Sequence, residues 1–191
     1  MRCLMCEKLS HLHICLECQK NHLTPSIYKR KLDKHTEVIS FYKYEEIKDL
    51  LHTKHTPLGF YIYSILAQNS FYKFAKNFNF SSTINSIAID DKLSGGYSHT
   101  AILNKALSSK YISPLHSKLR ARNSVNYSGK SKEFRLLNPR NFELKDIKYK
   151  DILLVDDIIT TGSTLLEAKN TLAKKQNNIL LCLTLADARG Y

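Results

Sequence analysis

From residue 38 onward, short apolar runs alternate with segments of helical periodicity. Val38 to Tyr42 (VISFY) predicts a strand, and Ile47, Leu50 and Leu51 follow at helical spacing. A second helix carries Phe60, Tyr63, Ile65, Leu66, Phe71 and Phe74, an aromatic stripe expected to face the core rather than form a binding platform. INSIAID then reads as a buried strand ending at Asp90 and Asp91. Gly95 and Gly96 give a loop, and Ile102, Leu103, Ala106 and Leu107 mark a helix. Further on, Ile152 to Val155 (ILLV) is the strongest strand, Leu165, Leu166, Ala168, Leu172 and Ala173 a helix, and ILLCLTLA a last buried strand. Near-continuous apolar strands alternating with helices predict an α/β fold built on a parallel sheet. No internal repeat is visible.

The first 37 residues follow another pattern. Cys3, Cys6, Cys15 and Cys18 form two CxxC pairs joined by a short linker. In a reducing compartment these would not persist as disulfides. Each CxxC turn places two thiolates on one side of a tight loop, and two such turns complete a tetrahedral Zn²⁺ site of four sulfurs. His11, His13 and His22 are spare ligands should one cysteine not bind. A module of this length builds no core of its own, so the metal is expected to supply its folding energy. Pro25 and the basic run Lys29, Arg30, Lys31 mark the exit, which divides the chain into a four-cysteine module, 1–37, and an α/β domain, 38–191. The fifth cysteine, Cys182, sits inside an apolar run and reads as a small buried hydrophobe.

At 191 residues, with 43% hydrophobic and 24% charged positions, the chain can bury a core and is neither disordered nor collagen-like. Twenty-nine Lys and Arg stand against seventeen Asp and Glu, a formal charge of +12. Such an excess points to polyanions, namely nucleic acid, phosphorylated ligands or an anionic membrane surface, unless it reflects a basic proteome. The most apolar stretch, Lys54 to Lys73, is interrupted by Pro57, Gly59, Ser64, Gln68, Asn69 and Ser70, so a buried helix is expected there and no membrane span. The N-terminus lacks the continuous apolar core of a signal peptide, and a cytoplasmic protein is expected.

Open α/β sheets bind ligands at the carboxyl ends of their strands. Here that segment reads DILLVDDIITTGSTL, residues 151–165. Asp156 and Asp157 are expected to follow the strand, and Thr160, Thr161, Gly162, Ser163 and Thr164 to form a hydroxyl-rich turn into a helix. Free N–H groups at a helix start, added hydroxyl donors and a glycine permitting close approach cradle a phosphate. Ionised carboxylates beside it accept hydrogen bonds from sugar hydroxyls. A capped turn alone would need only one hydroxyl or carboxylate. Phosphate at one end and a diol at the other describe a 5-phosphoribosyl group.

This string resembles the phosphoribosyl pyrophosphate (PRPP) loop of type I phosphoribosyltransferases. The resemblance implies that Asp156 and Asp157 hold the ribose 2- and 3-hydroxyls and that Thr160 to Thr164 hold the 5-phosphate. Together with the four-cysteine module, the chain is similar to the ComF (ComFC) family of competence proteins. Gly95-Gly96-Tyr97-Ser98-His99 stands where that family carries a motif like R-G-F-N-Q, without its arginine, and Asp90, Asp91 and Lys92 where it binds pyrophosphate, without its prolines. Lys92 would assist there, and Mg²⁺ would bridge Asp90 or Asp91 to the diphosphate. What the resemblance implies is a PRPP-binding, zinc-containing protein that handles incoming single-stranded DNA during natural transformation. It would act in the cytoplasm or at the inner-membrane periphery, beside DNA-translocation and recombination proteins. Nucleobase salvage or synthesis and PRPP sensing without chemistry are the other readings of the same site.

Between Lys110 and Arg140 lie Lys118, Arg120, Arg122, Lys130, Lys132 and Arg135, with Glu133 the only acid and Tyr111, Tyr127 and Phe134 interleaved. Basic groups with aromatics suit single-stranded DNA, whose phosphates they follow and whose bases they stack on. The same stretch corresponds to the flap over a phosphoribosyltransferase site, and a solvated loop is the third reading. Gly129-Lys130-Ser131 mimics the end of a Walker A motif, but Ser124 occupies the place of its first glycine and no apolar strand precedes it, so no nucleoside triphosphatase activity is expected.

Overall fold

The computed structural model describes residues 1–89, 93, 96–123, 132–148 and 150–189, the side chains of 132, 135 and 136 excepted. A short helix, α1 (Leu16–His22), closes the cysteine segment and is followed by β1 (Tyr28–Lys31) and β2 (Glu37–Lys43). Next come α2 (Tyr44–Leu51), a 3₁₀ turn (His52–His55), α3 (Pro57–Ala67), a π-helical turn (Gln68–Tyr72) and α4 (Lys73–Asn77). Then follow β3 (Ile84–Ala88), α5 (His99–Ala106), β4 (Ile112–Leu115), β5 (Leu119–Ala121), α6 (Lys132–Leu137) and β6 (Phe142–Leu144). The chain finishes with β7 (Asp151–Ile159), α7 (Ser163–Ala173) and β8 (Asn178–Asp187).

Six strands form one sheet in the order β1-β2-β8-β7-β3-β4, parallel throughout except for the antiparallel pair β1–β2. The α/β class with a mostly parallel sheet is therefore as the periodicity predicts. Period-two alternation distributes the central strand between two cores. Leu153 and Val155 pack with the helices α2 to α5, whereas Ile152 and Leu154 pack on the α7 side together with Cys182, which is a buried hydrophobe. Between β2 and β8 the buried Ser40 and Thr184 hydroxyls satisfy each other at 2.6 Å.

Sequence patterning misses β1 because YKRK shows no apolar run. It is an edge strand of alternating exposure whose charges blunt the sheet's open side. The turn after it is tied to α7, since Lys169 Nζ donates to Asp33 Oδ2 (2.6 Å) and Thr36 Oγ1 (2.7 Å). The single long helix expected over the aromatic stripe is interrupted by the π turn. There the Ser70 hydroxyl donates to Leu66 O (2.6 Å) and the Asn69 amide to Ile65 O (3.0 Å), side-chain bonds that compete with the helical ladder. Nor is the stripe uniformly buried. Tyr63 and Phe71 are in the core, while Phe60 is exposed.

The cysteine segment shares the domain's core rather than standing apart. Cys3, Ile14, Cys18 and Leu23 join the cluster that holds Phe41, Tyr42 and Phe71. Asn69 also donates to Gln19 Oε1 of α1 (2.9 Å). Packing thus supplements whatever a metal adds to its stability. Among the described residues no helix is long and apolar enough to cross a membrane.

Candidate functional site

The first difference from the sequence reading lies in β7 itself. It does not stop at Val155 but stays paired with β8 as far as Ile159, so Asp156 and Asp157 lie within the strand, opposite Thr184 and its neighbour. Neighbouring strand residues point to opposite sheet faces, and the two carboxylates consequently meet different surroundings.

Asp157 is buried and heavily engaged. Its Oδ2 accepts from Lys54 Nζ at 3.2 Å and lies 3.3 Å from His99 Nε2, while Oδ1 accepts from the Ile158 N–H at 2.8 Å. Burial alone would push its carboxyl upward, but the His99 hydrogen bond and the Lys54 charge win and hold it well below the ordinary carboxylate range. A carboxylate offers about four acceptor positions, so Asp157 retains one. Asp156 is half-buried, and its Oδ1 accepts from the Asp157 N–H at 2.9 Å. Burial and the neighbouring Asp157 charge push Asp156 well above the usual range, with the Arg140 guanidinium opposing them. The pair is thus divided into an anion anchored by Lys54 and His99 and a carboxyl pushed towards its neutral form.

The chain then turns through Thr160, Thr161 and Gly162 into α7. Gly162 sits at φ +82°, in the left-handed region, and an added Cβ would stand 3.0 Å from Leu32 Cδ1, so both conformation and space call for glycine. The Thr161 and Ser163 hydroxyls lie 3.1 Å apart over the helix start, and Thr164 occupies its first turn. Behind the turn, Arg30 Nη2 donates to Thr160 O (2.6 Å) and Nη1 lies 3.4 Å from Asp187 Oδ1. The run read from sequence as a domain exit therefore supplies a brace for this loop. The N–H groups at the helix start, two hydroxyls and the positive end of the α7 dipole make the turn suited to an anion.

Lys54, His99 and Arg30 carry no motif signal of their own. Lys54 reads as one cation among many, and His99 enters only as the last residue of the Gly95–His99 string. The structure places that string's residues as follows. The Tyr97 hydroxyl donates to Lys54 O (2.6 Å), Ser98 caps α5 through the Ala101 N–H (3.2 Å), and His99 meets Asp157. Asp90, Asp91, Lys92, Gly95 and Lys130 lie outside the described residues, as do the side chains of Lys132 and Arg135. Of the other basic candidates, Lys118 is half-buried, and Arg120 and Arg122 are exposed on the β5–β6 ribbon, with Arg122 Nη2 3.5 Å from Glu143 Oε1. The ribbon brings none of these to Asp156.

A second cluster lies at the N-terminus, where the thiols of Cys3, Cys6, Cys15 and Cys18 all fall within 4.8 Å of one another. Bonds of about 2.3 Å in a tetrahedron separate sulfurs by about 3.8 Å, and Cys6 and Cys15 stand at 3.7 Å. Cys3 Sγ accepts from the Cys15 and Met5 N–H groups at 3.3 and 3.5 Å. Burial opposes ionisation of Cys3, but these backbone donors prevail and lower its thiol to about 6. The four residues can hold a metal ion such as zinc. His13 is not among them and stacks on Tyr61 instead, at 4.4 Å.

Residues 106–191 match the family described as the phosphoribosyl transferase domain. The matched segment runs from the end of α5 to the C-terminus and contains the whole β7–α7 turn. No curated protein matches the chain. Among solved structures, it is similar to UMP synthase of Leishmania donovani (15% identity, TM-score 0.42, 72% of this chain and 24% of that one). It is also similar to a hypoxanthine phosphoribosyltransferase from Staphylococcus aureus (18%, TM-score 0.39, 65% and 62%) and to an adenine phosphoribosyltransferase (14%, TM-score 0.41, 90% and 98%). The chain thus spans less than two thirds of the length of the first two. The chain is mixed α/β with a mostly parallel sheet, its residues 106–191 match the phosphoribosyl transferase domain, and it has a compact four-cysteine cluster at the N-terminus.

Proposed function

We propose that the protein binds PRPP at the carboxyl end of β7, as a phosphoribosyltransferase-like protein. The observation that carries this reading is the half-buried carboxyl of Asp156 beside the hydroxyl-rich start of α7, inside the segment that matches the phosphoribosyl transferase domain. In this proposal Thr160, Thr161, Gly162, Ser163 and Thr164 take the 5-phosphate through backbone N–H groups and hydroxyls. Asp156 accepts most of the diol's hydrogen bonds, and Asp157 contributes its one remaining acceptor position. Asp90, Asp91 and Lys92 are proposed for the pyrophosphate end.

Asp90 or Asp91 would hold the Mg²⁺ that accompanies PRPP, and the ion would supply neutralisation of the departing diphosphate's charge. Displacement at C1 of the ribose passes through an oxocarbenium-like state, so the chain's task is to fix the sugar and stabilise charge; no covalent nucleophile is required. Zn²⁺ in the four-cysteine cage is proposed as a structural ion of the 1–37 module, holding its loops on the domain core.

Calorimetric titration with PRPP and Mg²⁺ tests the reading. Wild type should bind, and Asp156→Asn should lose at least about tenfold, the loss of one charged hydrogen-bond set. No binding by wild type would refute it.

The competence role implied by the ComF resemblance is a separate proposal, supported by the +12 charge and the exposed Arg120 and Arg122. Affinity for single-stranded DNA should then fall steeply with salt, as neutralised phosphates release counterions. Nucleobase-dependent pyrophosphate release without DNA binding would favour salvage chemistry instead.

A further inference from the structure

The 3₁₀ turn between α2 and α3 holds a lysine against the end of β7. Its backbone is closed by the Thr53 hydroxyl donating to Leu50 O (2.6 Å) and the Thr56 N–H to Thr53 O (2.9 Å). Thr56 then caps α3, accepting from the Gly59 N–H at 3.3 Å, with Pro57 as the first helical residue. From the facing side, the buried Tyr97 hydroxyl reaches Lys54 O (2.6 Å) and Thr56 O (3.2 Å). That approach exists because residue 59 is glycine. A Cβ there would collide with the Tyr97 hydroxyl and the Thr53 carbonyl. The turn is therefore latched to the start of α5, and it places Lys54 Nζ 3.2 Å from Asp157 Oδ2.

Among the described residues, several side chains are directed at that oxygen or into its field. Lys54 and His55 come from the turn, His99 from α5 and Tyr63 from α3, with Asp156 beside it on its own strand. The Tyr63 hydroxyl is buried without a hydrogen-bond partner, so it adds no competing donor. With Oδ2 occupied by Lys54 and His99 and Oδ1 by the Ile158 N–H, the orientation of the carboxylate plane is fixed on three sides. Its remaining acceptor position then has a definite direction.

We infer that Lys54 is a positioning residue for the sugar subsite: the latched turn uses it to hold the Asp157 carboxylate so that the open acceptor position selects a ribose hydroxyl. Lys54 acts through Asp157 and does not itself touch the phosphate. This inference rests on the PRPP-site reading above.

The test is the ratio of affinities for ribose 5-phosphate and 2-deoxyribose 5-phosphate, measured by calorimetry on wild type, Lys54→Met, Lys54→Arg and Tyr97→Phe. Wild type should prefer the ribose compound. Lys54→Met should lose about tenfold for ribose 5-phosphate and little for the deoxy sugar, collapsing the preference. Lys54→Arg should restore most of it, and Tyr97→Phe, which loosens the turn without removing charge, should lower it by a smaller factor. An equal loss for both sugars in Lys54→Met would mean a direct phosphate contact or a general structural role, and would overturn the inference. An unchanged preference would overturn it too, while leaving the PRPP site standing. No binding of either sugar phosphate or of PRPP by wild type would overturn both.

Discussion

Replacing Asp157 with Asn removes the charge at the centre of the strand-end cluster while keeping its shape. In the wild type the Lys54–Asp157 pair at 3.2 Å has a gross attraction of about 5 kcal/mol at an effective dielectric near 20. Desolvation of both groups offsets most of that. The side chains of Asp157, His99 and Lys54 are 12%, 19% and 30% exposed, which sets the cluster between surface pairs, about 0–1 kcal/mol, and buried pairs, whose truncation costs about 3–5 kcal/mol. Because Asn still accepts one hydrogen bond, Asp157→Asn should destabilise by about 2 kcal/mol. In a chain of this size that lowers Tm by about 4–8 °C.

The pH dependence carries a sign. Asp157 is depressed in the folded state, so its contribution is complete above the unfolded carboxyl's value near 4 and fades as pH falls below it towards the folded value. Thermal melts of wild type and variant should thus show a constant gap between pH 7 and pH 5 and a narrowing gap at pH 3. A variant that melts within about 1 °C of wild type at pH 7, or a gap that persists undiminished at pH 3, would refute the reasoning.

Other substitutions probe other parts of the structure. Gly162→Ala imposes a side chain at φ +82° against Leu32 and should cost about 1–3 kcal/mol, read by chemical denaturation; an unchanged midpoint would contradict the conformational argument. Gly59→Ala drives a Cβ into the Tyr97 hydroxyl and the Thr53 carbonyl. It should destabilise by about 1–3 kcal/mol, and pairing it with Tyr97→Phe should recover part of the loss. Changing Cys15 and Cys18 to Ser should expel the metal, so elemental analysis should find close to one zinc per wild-type chain and none in the variant. Equal metal content in both would dismiss the four-thiolate cage.

Much of this architecture is legible in the sequence because it rests on burial. The strands ILLV and ILLCLTLA are covered on both faces, so their apolar runs announce them, and the CxxC pairs announce a cluster because few chemistries use that spacing. What escaped is governed by pairing and reach. β1 is polar because it lies at an edge, and its register comes from β2 rather than from its own pattern. β7 outruns its apolar core because β8 continues to offer hydrogen bonds past Asp156, a partner 28 residues away. Lys54 and His99 meet Asp157 across 103 and 58 positions of chain, a convergence that local periodicity does not encode. Arg30 illustrates the same limit. A residue that reads as part of a basic run marking a domain exit spends its guanidinium on Thr160 and Asp187.

The most direct test of the strand-end site is a crystal structure of the protein with PRPP and Mg²⁺. The 5-phosphate should lie within hydrogen-bonding distance of the backbone N–H groups of residues 161–164, with the ribose diol on Asp156 and Asp157 still bound to Lys54. PRPP seated elsewhere on the chain, or a β7–α7 turn left empty at saturating ligand, would contradict the assignment.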